Sequence, residues 1–316
     1  MPPHVYNPLN RTKEIRDDMS NYHYGGQAVI EGVMMRGRQH MAVAVRKPDG
    51  DIILHSEPLT SKFHTSPAMR LPFLRGIGVL VDTVLLGIRS LMFSADIALG
   101  EEDVQFSGPL AWGTIAVSFA LAIGLFFVLP LAIVNLVDRY ITSALVSNII
   151  EGILRLGIFL GYVWAIGLIP DIQRVFAYHG AEHKTVNAYE SGVPLTPDAV
   201  QTHTTAHTRC GTAFLLVVAI ISIFVFAFLG RPSWPVRYAS RILLIPVIAA
   251  VSYEWLRFSA NHQHQPWVKW ISMPGLALQR LTTREPDSKM LEVAIAALTR
   301  VLEEDAQSEE TPPGTA

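Results

Sequence analysis

The hydrophobic residues of this chain are gathered into long blocks separated by short polar connections. About 20 apolar residues in a helix match the thickness of the hydrocarbon core of a bilayer. Four blocks reach that length, at residues 109–137, 145–169, 211–229 and 238–258. The third block carries no charge, the fourth contains Pro246, and Pro130 is expected to kink the first. The pattern therefore predicts a mainly α-helical polytopic membrane protein with about four transmembrane helices, in a membrane domain covering residues 106–260.

A further apolar stretch, residues 71–99, is interrupted by charged residues. Arg75, Asp82, Arg89 and Asp96 recur every seven residues, so on a helix they form one slowly drifting stripe. Because four charges inside hydrocarbon are costly, the pattern favours an amphipathic helix lying on the bilayer or against the other spans. We assign residues 66–105 to this interfacial segment rather than to a further span.

The chain before this segment alternates in the manner of strands. Asp49-Gly50 separates two β-prone runs, residues 41–46 and 52–56, and Asp-Gly in that position is a strong hairpin signal. Residues 25–65 therefore predict a small β-rich soluble module. The polar, proline-containing residues 1–24 predict a flexible arm.

The chain after the last block is polar again. It predicts a C-terminal segment, residues 261–304, with an amphipathic helix from about Ser288 to Glu304. The acidic residues 305–316 are expected to be disordered, because a segment with few apolar residues cannot offset its ordering entropy.

Composition supports the membrane class and narrows the function. Half of the 316 residues are hydrophobic and the mean hydropathy is +0.31, too apolar for an ordinary soluble protein. A net charge of -2 gives no electrostatic argument for nucleic acid. Cys210 is the single cysteine, so no intrachain disulfide can form. The first ten residues lack the apolar core of a cleavable signal peptide.

The basic residues predict the orientation. Lys and Arg number eleven in residues 1–105, three in residues 171–210 and six from residue 257 onward, whereas the two other connections hold one and two. By the positive-inside rule both termini and the central loop, residues 171–210, face the cytoplasm. We expect a multi-pass protein of the plasma membrane whose first partner is the lipid bilayer.

The central loop carries the candidate chemistry. His179, Glu182 and His183 form H-x-x-E-H, the inverted zincin pattern. On a helix His183 lies about 40° and Glu190 about 20° round from His179, on one stripe. Two imidazoles and a carboxylate suit Zn²⁺ and leave a position for water. Glu182, about 60° to the other side of His179, could take that water's proton as a general base.

The third metal ligand is left open by the sequence. Glu190 has the helical spacing, Glu254 comes from the end of the last block, and His207 with Cys210 could supply another ligand. Each of these residues also has a possible structural role without a metal. Cys210 could be a small residue that begins a span, and Glu254 could pair with Arg257. The helix could be polar, with histidines that only hydrogen-bond to carboxylates. Within H-x-x-E-H, Gly180 opposes a stable helix unless it admits a close neighbour.

Several motifs, taken in order, resemble the YqhQ-like family of bacterial membrane proteins, a domain of unknown function. They are residues 25–37, 74–76, 178–185, 209–212, 253–254 and 278–286. The resemblance covers about residues 25 to 300. It implies family membership and suggests metal dependence, but it implies no particular reaction.

Two classes of function follow from these residues. The first is a metal-dependent membrane hydrolase, for example a peptidase, acting at the cytoplasmic interface with a divalent metal, Zn²⁺ foremost. The second is a non-enzymatic membrane scaffold or assembly factor whose polar cluster is structural. A transporter ranks third: Glu151, Arg155 and Glu254 are ionisable and intramembrane, but no internal repeat is visible. The substrate or protein partner is unidentified, and a homo-oligomer is left open.

Overall fold

The fold is given by a computed structural model that describes residues 24–59, 71–99, 109–262 and 265–310. A small antiparallel sheet near the N-terminus stands beside a bundle of apolar helices. The fold class predicted from the hydrophobic pattern is confirmed. Residues 1–23 of the predicted arm (residues 1–24) lie outside the described residues, as do residues 60–70, 100–108 and 263–264 of the predicted segments and residues 311–316 of the predicted tail.

The sheet is a four-stranded meander in the order β1-β2-β3-β4. Its strands are β1 (Gly25–Val29), β2 (Gly32–Arg36), β3 (His40–Arg46) and β4 (Ile52–Pro58). The turn between β3 and β4 contains Gly50 at a φ of 101°, a backbone conformation that glycine adopts freely. The predicted Asp-Gly hairpin is therefore present.

Both faces of the sheet are covered by helices. Along β3, Ala42 and Ala44 point to one face and Val43 to the other, as the two-residue period of a strand requires. The first face packs against α5 (Pro170–Ser191) and α11 (Ser288–Glu310), and the second against α1 (Leu74–Leu99). The β-rich module is thus completed by helices from distant parts of the sequence.

Helix α11 extends beyond the boundary predicted for it. It continues to Glu310, and the Asp305 side chain is 1% exposed. The Asp305 carboxylate accepts hydrogen bonds from the backbone N–H groups of Arg38, Gln39 and His40, at 2.7, 3.0 and 2.9 Å. The prediction of disorder was wrong for residues 305–310, because this acidic residue binds the turn between β2 and β3.

Helix α1 makes protein contacts along its charged stripe. Arg75 is paired with Glu254, and Asp82 lies 2.7 Å from Arg36 of β2. From Leu86 onward the helix packs on the sheet, while its outer side exposes apolar residues such as Val81 and Leu85. This arrangement fits an interfacial helix, although Leu74–Ala98 is also long and apolar enough to span. The interfacial position stays a prediction.

The bundle is formed by the apolar helices that follow. Besides Leu74–Ala98, three helical segments have the length and composition to cross a membrane: Trp112–Tyr140, Ala144–Ile166 and Trp234–Asn261. Their elements are α2 (Pro109–Ile123), a π-helical turn (Gly124–Val128), α3 (Leu129–Val137), a 3₁₀ turn (Asp138–Tyr140), α4 (Ala144–Ile166), α8 (Trp234–Leu243) and α9 (Ile245–Asn261). The short α6 (Pro197–Gln201) lies between α5 and the next bundle helix.

The prolines inside these segments disturb the helices as their chemistry requires. Pro130 lacks an N–H and crowds the preceding turn, and the π-helical turn ends just before it at Val128. Pro246 stands at the start of α9, where α8 and α9 are separated at Leu244. The disturbance predicted at Pro130 is therefore present as this π-helical turn.

The uncharged block forms the centre of the bundle. It is α7 (Gly211–Ala227), 17 residues or about 26 Å long, and it packs against α4, α9 and α10 (Pro266–Thr282). Helix α10 was missed in the sequence, because Pro274 lies inside it and argues against a helix. Gly275 of α10 lets Ala213 approach closely, and this packing brings the end of α10 beside the start of α7.

Candidate metal centre

The H-x-x-E-H segment lies within a regular helix. Helix α5 begins with Pro170 in its first turn and ends where Gly192 adopts a left-handed φ of 74°. The predicted helical spacing therefore applies to His179 and His183, whose ring centroids are 4.3 Å apart. The helix surface places both imidazoles together.

Backbone carbonyls orient both imidazoles. Nδ1 of His179 lies 2.8 Å from the carbonyl oxygen of Thr282, and Nδ1 of His183 bonds to that of Thr205. A carbonyl can only accept, so in each neutral ring Nδ1 donates and Nε2 keeps its lone pair. Metal-binding histidines are commonly held in this way.

Cys210 joins the two histidines from another element. Its sulfur lies 3.3 Å from Nε2 of His179, and ligand atoms of His179, His183 and Cys210 all lie within 4.8 Å of one another. Cys210 caps the N-terminus of α7 and accepts a hydrogen bond from the Thr212 N–H. A cysteine sulfur binds metals as the thiolate. The alternative from the sequence was that Cys210 is only a small residue at the start of a span. Cys210 does lie at the start of α7, but that alternative does not account for its contact with His179.

Glu182 lies beside this group and is held by the β-rich module. Its Oε1 accepts a hydrogen bond of 2.9 Å from the Gly26 N–H, and its Oε2 is 3.5 Å from Nε2 of His183. The side chain is 5% exposed. A buried carboxylate with one oxygen fixed and the other turned toward the histidines has the placement that a general base requires.

Gly180 allows a second chain segment to cross α5 at the site. A Cβ atom at Gly180 would lie only 2.1 Å from the carbonyl oxygen of Arg284. The N–H of Arg284 donates to the carbonyl of Phe176 at 2.9 Å, which ties the crossing segment to the helix. This crossing brings the Thr282 carbonyl to His179. The glycine that opposed a helix is therefore explained by a close neighbour.

A buried lysine ties the same segments together. Lys184 is 3% exposed, and its ammonium group donates to the carbonyl of Gln201 at 2.7 Å and pairs with Glu285 at 2.5 Å. Gln201 in turn donates to Glu285 at 2.8 Å. A buried cation needs such partners, so these contacts stabilise the packing of α5, α6 and the segment after α10.

His207 lies at the edge of the group and is held by Gln279, which belongs to the motif at residues 278–286 but has no role predicted from the sequence. The buried Gln279 side chain accepts from the His207 N–H and donates to the His207 carbonyl, both at 2.8 Å. The His207 ring centroid is 5.6 Å from that of His183. Its Nε2 is buried without a hydrogen-bond partner among the described residues. No spacing rule connects Gln279 to His207 across 72 residues.

The two carboxylates proposed as third ligands have other partners. Glu190 pairs with Arg209 and lies 3.7 Å from Nε2 of His207. Burial raises the pKa of Glu190, but the interactions with His207 and Arg209 outweigh it and leave the pKa below its ordinary value. Glu254 pairs with Arg75. Neither carboxylate belongs to the group of His179, His183 and Cys210, whose ligand atoms converge.

Comparisons with known proteins place the chain among relatives without an assigned activity. A family model described as "Protein of unknown function (DUF1385)" matches residues 71–304. The chain is 35% identical over 301 residues to the "Uncharacterized protein YqhQ" of Bacillus subtilis (strain 168), a match covering 91% of this chain and 94% of that protein. No solved structure matches. Since the family model covers most of the chain, the protein belongs to the DUF1385 family.

Proposed function

We propose that this protein is a metal-dependent hydrolase of the membrane interface. His179 and His183 would hold a divalent cation through Nε2, and Cys210 would hold it through Sγ. The observation that carries the proposal is the convergence of these atoms within 4.8 Å, with both Nδ1 atoms engaged by backbone carbonyls. In this arrangement the lone pairs of all three groups are available to one ion.

The donor set fits zinc better than a hard cation. Two imidazole nitrogens and a thiolate suit a borderline ion, whereas Mg²⁺ and Ca²⁺ prefer oxygen ligands. Three protein ligands also leave a fourth tetrahedral position for water or substrate, as in catalytic zinc sites. The buried Nε2 of His207, which lies 3.7 Å from Glu190, adds a further nitrogen beside the group.

Glu182 supplies the base in this proposal. A bound divalent cation would act as a Lewis acid and lower the pKa of a water molecule there. The Gly26 N–H holds Oε1 of Glu182, so Oε2 is left to accept a proton from the attacking water. Because Gly26 belongs to the β-rich module, that module positions a residue of the reaction as well as covering α5.

The location of the group indicates where a substrate would meet it. Cys210 stands at the start of α7 and Thr282 at the end of α10, where the bundle meets the β-rich module. The distribution of Lys and Arg supports a cytoplasmic position for this end of the bundle. A substrate would therefore reach the group from the cytoplasmic membrane surface, and the H-x-x-E-H pattern makes a peptide bond the first reaction to test.

Metal content tests the ligand set directly. We expect about one metal ion per chain in the detergent-purified protein and in the control His203→Ala, as determined by elemental analysis. The double variant His179→Ala/His183→Ala should lose the metal, and Cys210→Ser should bind it more weakly. His203 is a suitable control because it lies in the connection that ends at Cys210 but bonds to the Ala199 carbonyl. A wild-type protein that neither contains nor takes up metal would contradict the proposal.

Glu182→Gln separates catalysis from metal binding. This variant should keep the metal, because Glu182 is not among the three ligands, and it should lose hydrolysis. The measurement compares peptide products released from membrane proteins by wild type and variant, using mass spectrometry. Unchanged products in a metal-loaded Glu182→Gln variant would exclude Glu182 as the base and favour a scaffold whose polar cluster is structural.

One contact favours a second candidate function, acyl transfer through a cysteine nucleophile. Sγ of Cys210 and Nε2 of His179 are 3.3 Å apart, and the Thr282 carbonyl orients the same ring from Nδ1. A cysteine, a base and a group that orients the base form the arrangement of nucleophilic catalysis. Activity that survives chelation but not alkylation of Cys210 by iodoacetamide would support this candidate over the hydrolase.

A further inference from the structure

A second polar cluster lies within the bundle, at the end away from the candidate metal centre. Its members come from the 3₁₀ turn after α3, from α4 and from the region where α8 begins. We call it the arginine network, and it consists of Asp138, Glu151, Arg155, Arg231, Arg237 and Arg241. None of these residues contributes to the proposed hydrolase.

The network is organised around Glu151. Both Glu151 and Arg241 have side chains that are 1% exposed, and Arg241 reaches both carboxylate oxygens, at 3.1 and 2.8 Å. Arg155 bonds to the same carboxylate at 2.6 Å, and Arg237 lies 3.4 Å from it. Three guanidinium groups therefore converge on one carboxylate in a region enclosed by apolar helices.

Positive charge exceeds negative charge in this cluster. Four guanidinium groups face two carboxylates. Asp138 accepts from Arg231 and Arg237, and Glu151 accepts from Arg155, Arg237 and Arg241. The excess is two positive charges among the described residues of the network. Arg155 is partly compensated by the Phe126 carbonyl and by aromatic rings. The other arginines also have neutral partners: Arg231 donates to the Ile141 carbonyl, Arg237 to the Ser147 hydroxyl and Arg241 to the Asn148 amide oxygen. These neutral partners leave the net charge of the network unchanged, and uncompensated charge in apolar surroundings is costly.

Arg237 has an unmatched donor. Its side chain is 7% exposed, and its Nε is buried without a hydrogen-bond partner among the described residues. A buried N–H that lacks an acceptor loses its hydration without replacement. The charge excess and the unmatched donor are separate observations, and both call for an added anionic acceptor.

The surroundings of Arg231 and Arg237 place this end of the network at the depth of lipid headgroups. Large hydrophobic side chains beside them are strongly exposed, with Phe228 at 85% and Trp234 and Tyr140 at 73%. Exposed apolar residues on a membrane bundle face lipid, and Trp and Tyr concentrate at the interface with water. Arg231 is 30% exposed, so it can be reached from that surface.

We propose that the arginine network binds a phosphate group at Arg231 and Arg237. A phosphate offers several acceptor oxygens in the geometry that guanidinium groups bind best, and its charge offsets the excess. The group could belong to an anionic phospholipid of the adjoining leaflet or to inorganic phosphate. The exposed aromatic residues favour the lipid, whose chains would lie along the bundle beside Phe228 and Trp234.

Thermal unfolding of the full chain in detergent tests the proposal. Short-chain phosphatidylglycerol and inorganic phosphate are titrated separately, with phosphatidylcholine as a reference for general lipid effects. We expect phosphatidylglycerol to raise the melting temperature saturably. The half-saturating concentration should increase about tenfold in Arg237→Gln and in Arg231→Gln, a loss equivalent to one charged hydrogen bond. The control is Arg139→Gln, because Arg139 stacks on Tyr140 at the same end but is not part of the network.

The outcomes distinguish a lipid headgroup from free phosphate and test whether the network binds either. A saturable shift with phosphatidylglycerol alone assigns the site to a lipid headgroup, whereas an equal shift with inorganic phosphate assigns it to the free anion. Arg231→Gln keeps the readout available if Arg237→Gln does not fold, since Arg231 is outside the Glu151 contacts. Equal responses to phosphatidylglycerol and phosphatidylcholine, or responses unchanged in Arg231→Gln, would overturn the proposal.

Discussion

The two polar clusters of this protein differ in what they lack. The candidate metal centre brings the ligand atoms of His179, His183 and Cys210 within 4.8 Å of one another, which is the basis for the proposed cation. The arginine network turns guanidinium groups toward two carboxylates and retains an unmatched N–H, which is the basis for the proposed anion. The lone pairs in one cluster and the excess positive charge in the other suggest opposite kinds of ligand, which the number of polar residues alone would not suggest.

The clusters also differ in how much the fold depends on them. Imidazole and thiol groups can be neutral, and carbonyl contacts satisfy the Nδ1 atoms without any ion. Guanidinium groups stay charged at any physiological pH, so the buried arginines require Glu151 at all times. We therefore expect loss of function from changes at the metal centre and loss of stability from changes in the network.

Removing Glu151 should have the largest effect. Glu151→Gln leaves Arg155 and Arg241 without their shared carboxylate, and breaking a buried ion pair costs about 3–5 kcal/mol. Thermal unfolding in detergent should show a large decrease in stability, with metal content unchanged in the protein that remains folded. The matched control is Glu254→Gln, whose partly exposed pair with Arg75 should cost no more than about 1 kcal/mol. Similar losses in both variants would remove the distinction between the clusters.

A methyl group at Gly180 should affect both stability and metal binding. In Gly180→Ala the new Cβ meets the Arg284 carbonyl, and the resulting shift should cost about 1–3 kcal/mol and move the Thr282 carbonyl away from His179. We expect weaker metal retention during dialysis against a chelator. Gly157→Ala on α4 is the control, because nothing lies within 4 Å of its added Cβ and alanine favours a helix by about 1 kcal/mol. Unchanged metal retention in Gly180→Ala would show that the crossing segment does not hold the centre.

Acid should weaken the edge of the metal centre slightly. The folded-state pKa of Glu190 is below its ordinary value of 4.5, so its stabilising contribution is complete above that value and is lost as the pH falls through the folded-state pKa. Because the side chain is 34% exposed, solvent screening limits the effect to about 1 kcal/mol or less. Glu190→Gln should flatten the stability profile below pH about 4.5, whereas Asp198→Asn on α6 should not. A steep acid profile retained in Glu190→Gln would assign the effect to other groups.

The sequence by itself determined features that depend on local periodicity. Long apolar blocks predicted the bundle, Asp49-Gly50 predicted the hairpin, and the helical period placed His179 and His183 on one stripe. These features follow from the repeat of a single element and need no information about its neighbours. The family resemblance rested on the same local motifs and is confirmed.

The tertiary structure decided which distant residues complete each cluster. It brought Cys210, and not Glu190 or Glu254, within reach of the histidine pair. It also placed Gln279 on the backbone of His207 and buried Asp305 against the turn after β2. It also revealed α10, which the internal proline had concealed. The helical period states which face a residue occupies, but the element that packs on that face depends on how all helices fill the core together. For that reason local spacing found the two histidines, and only packing found their partners.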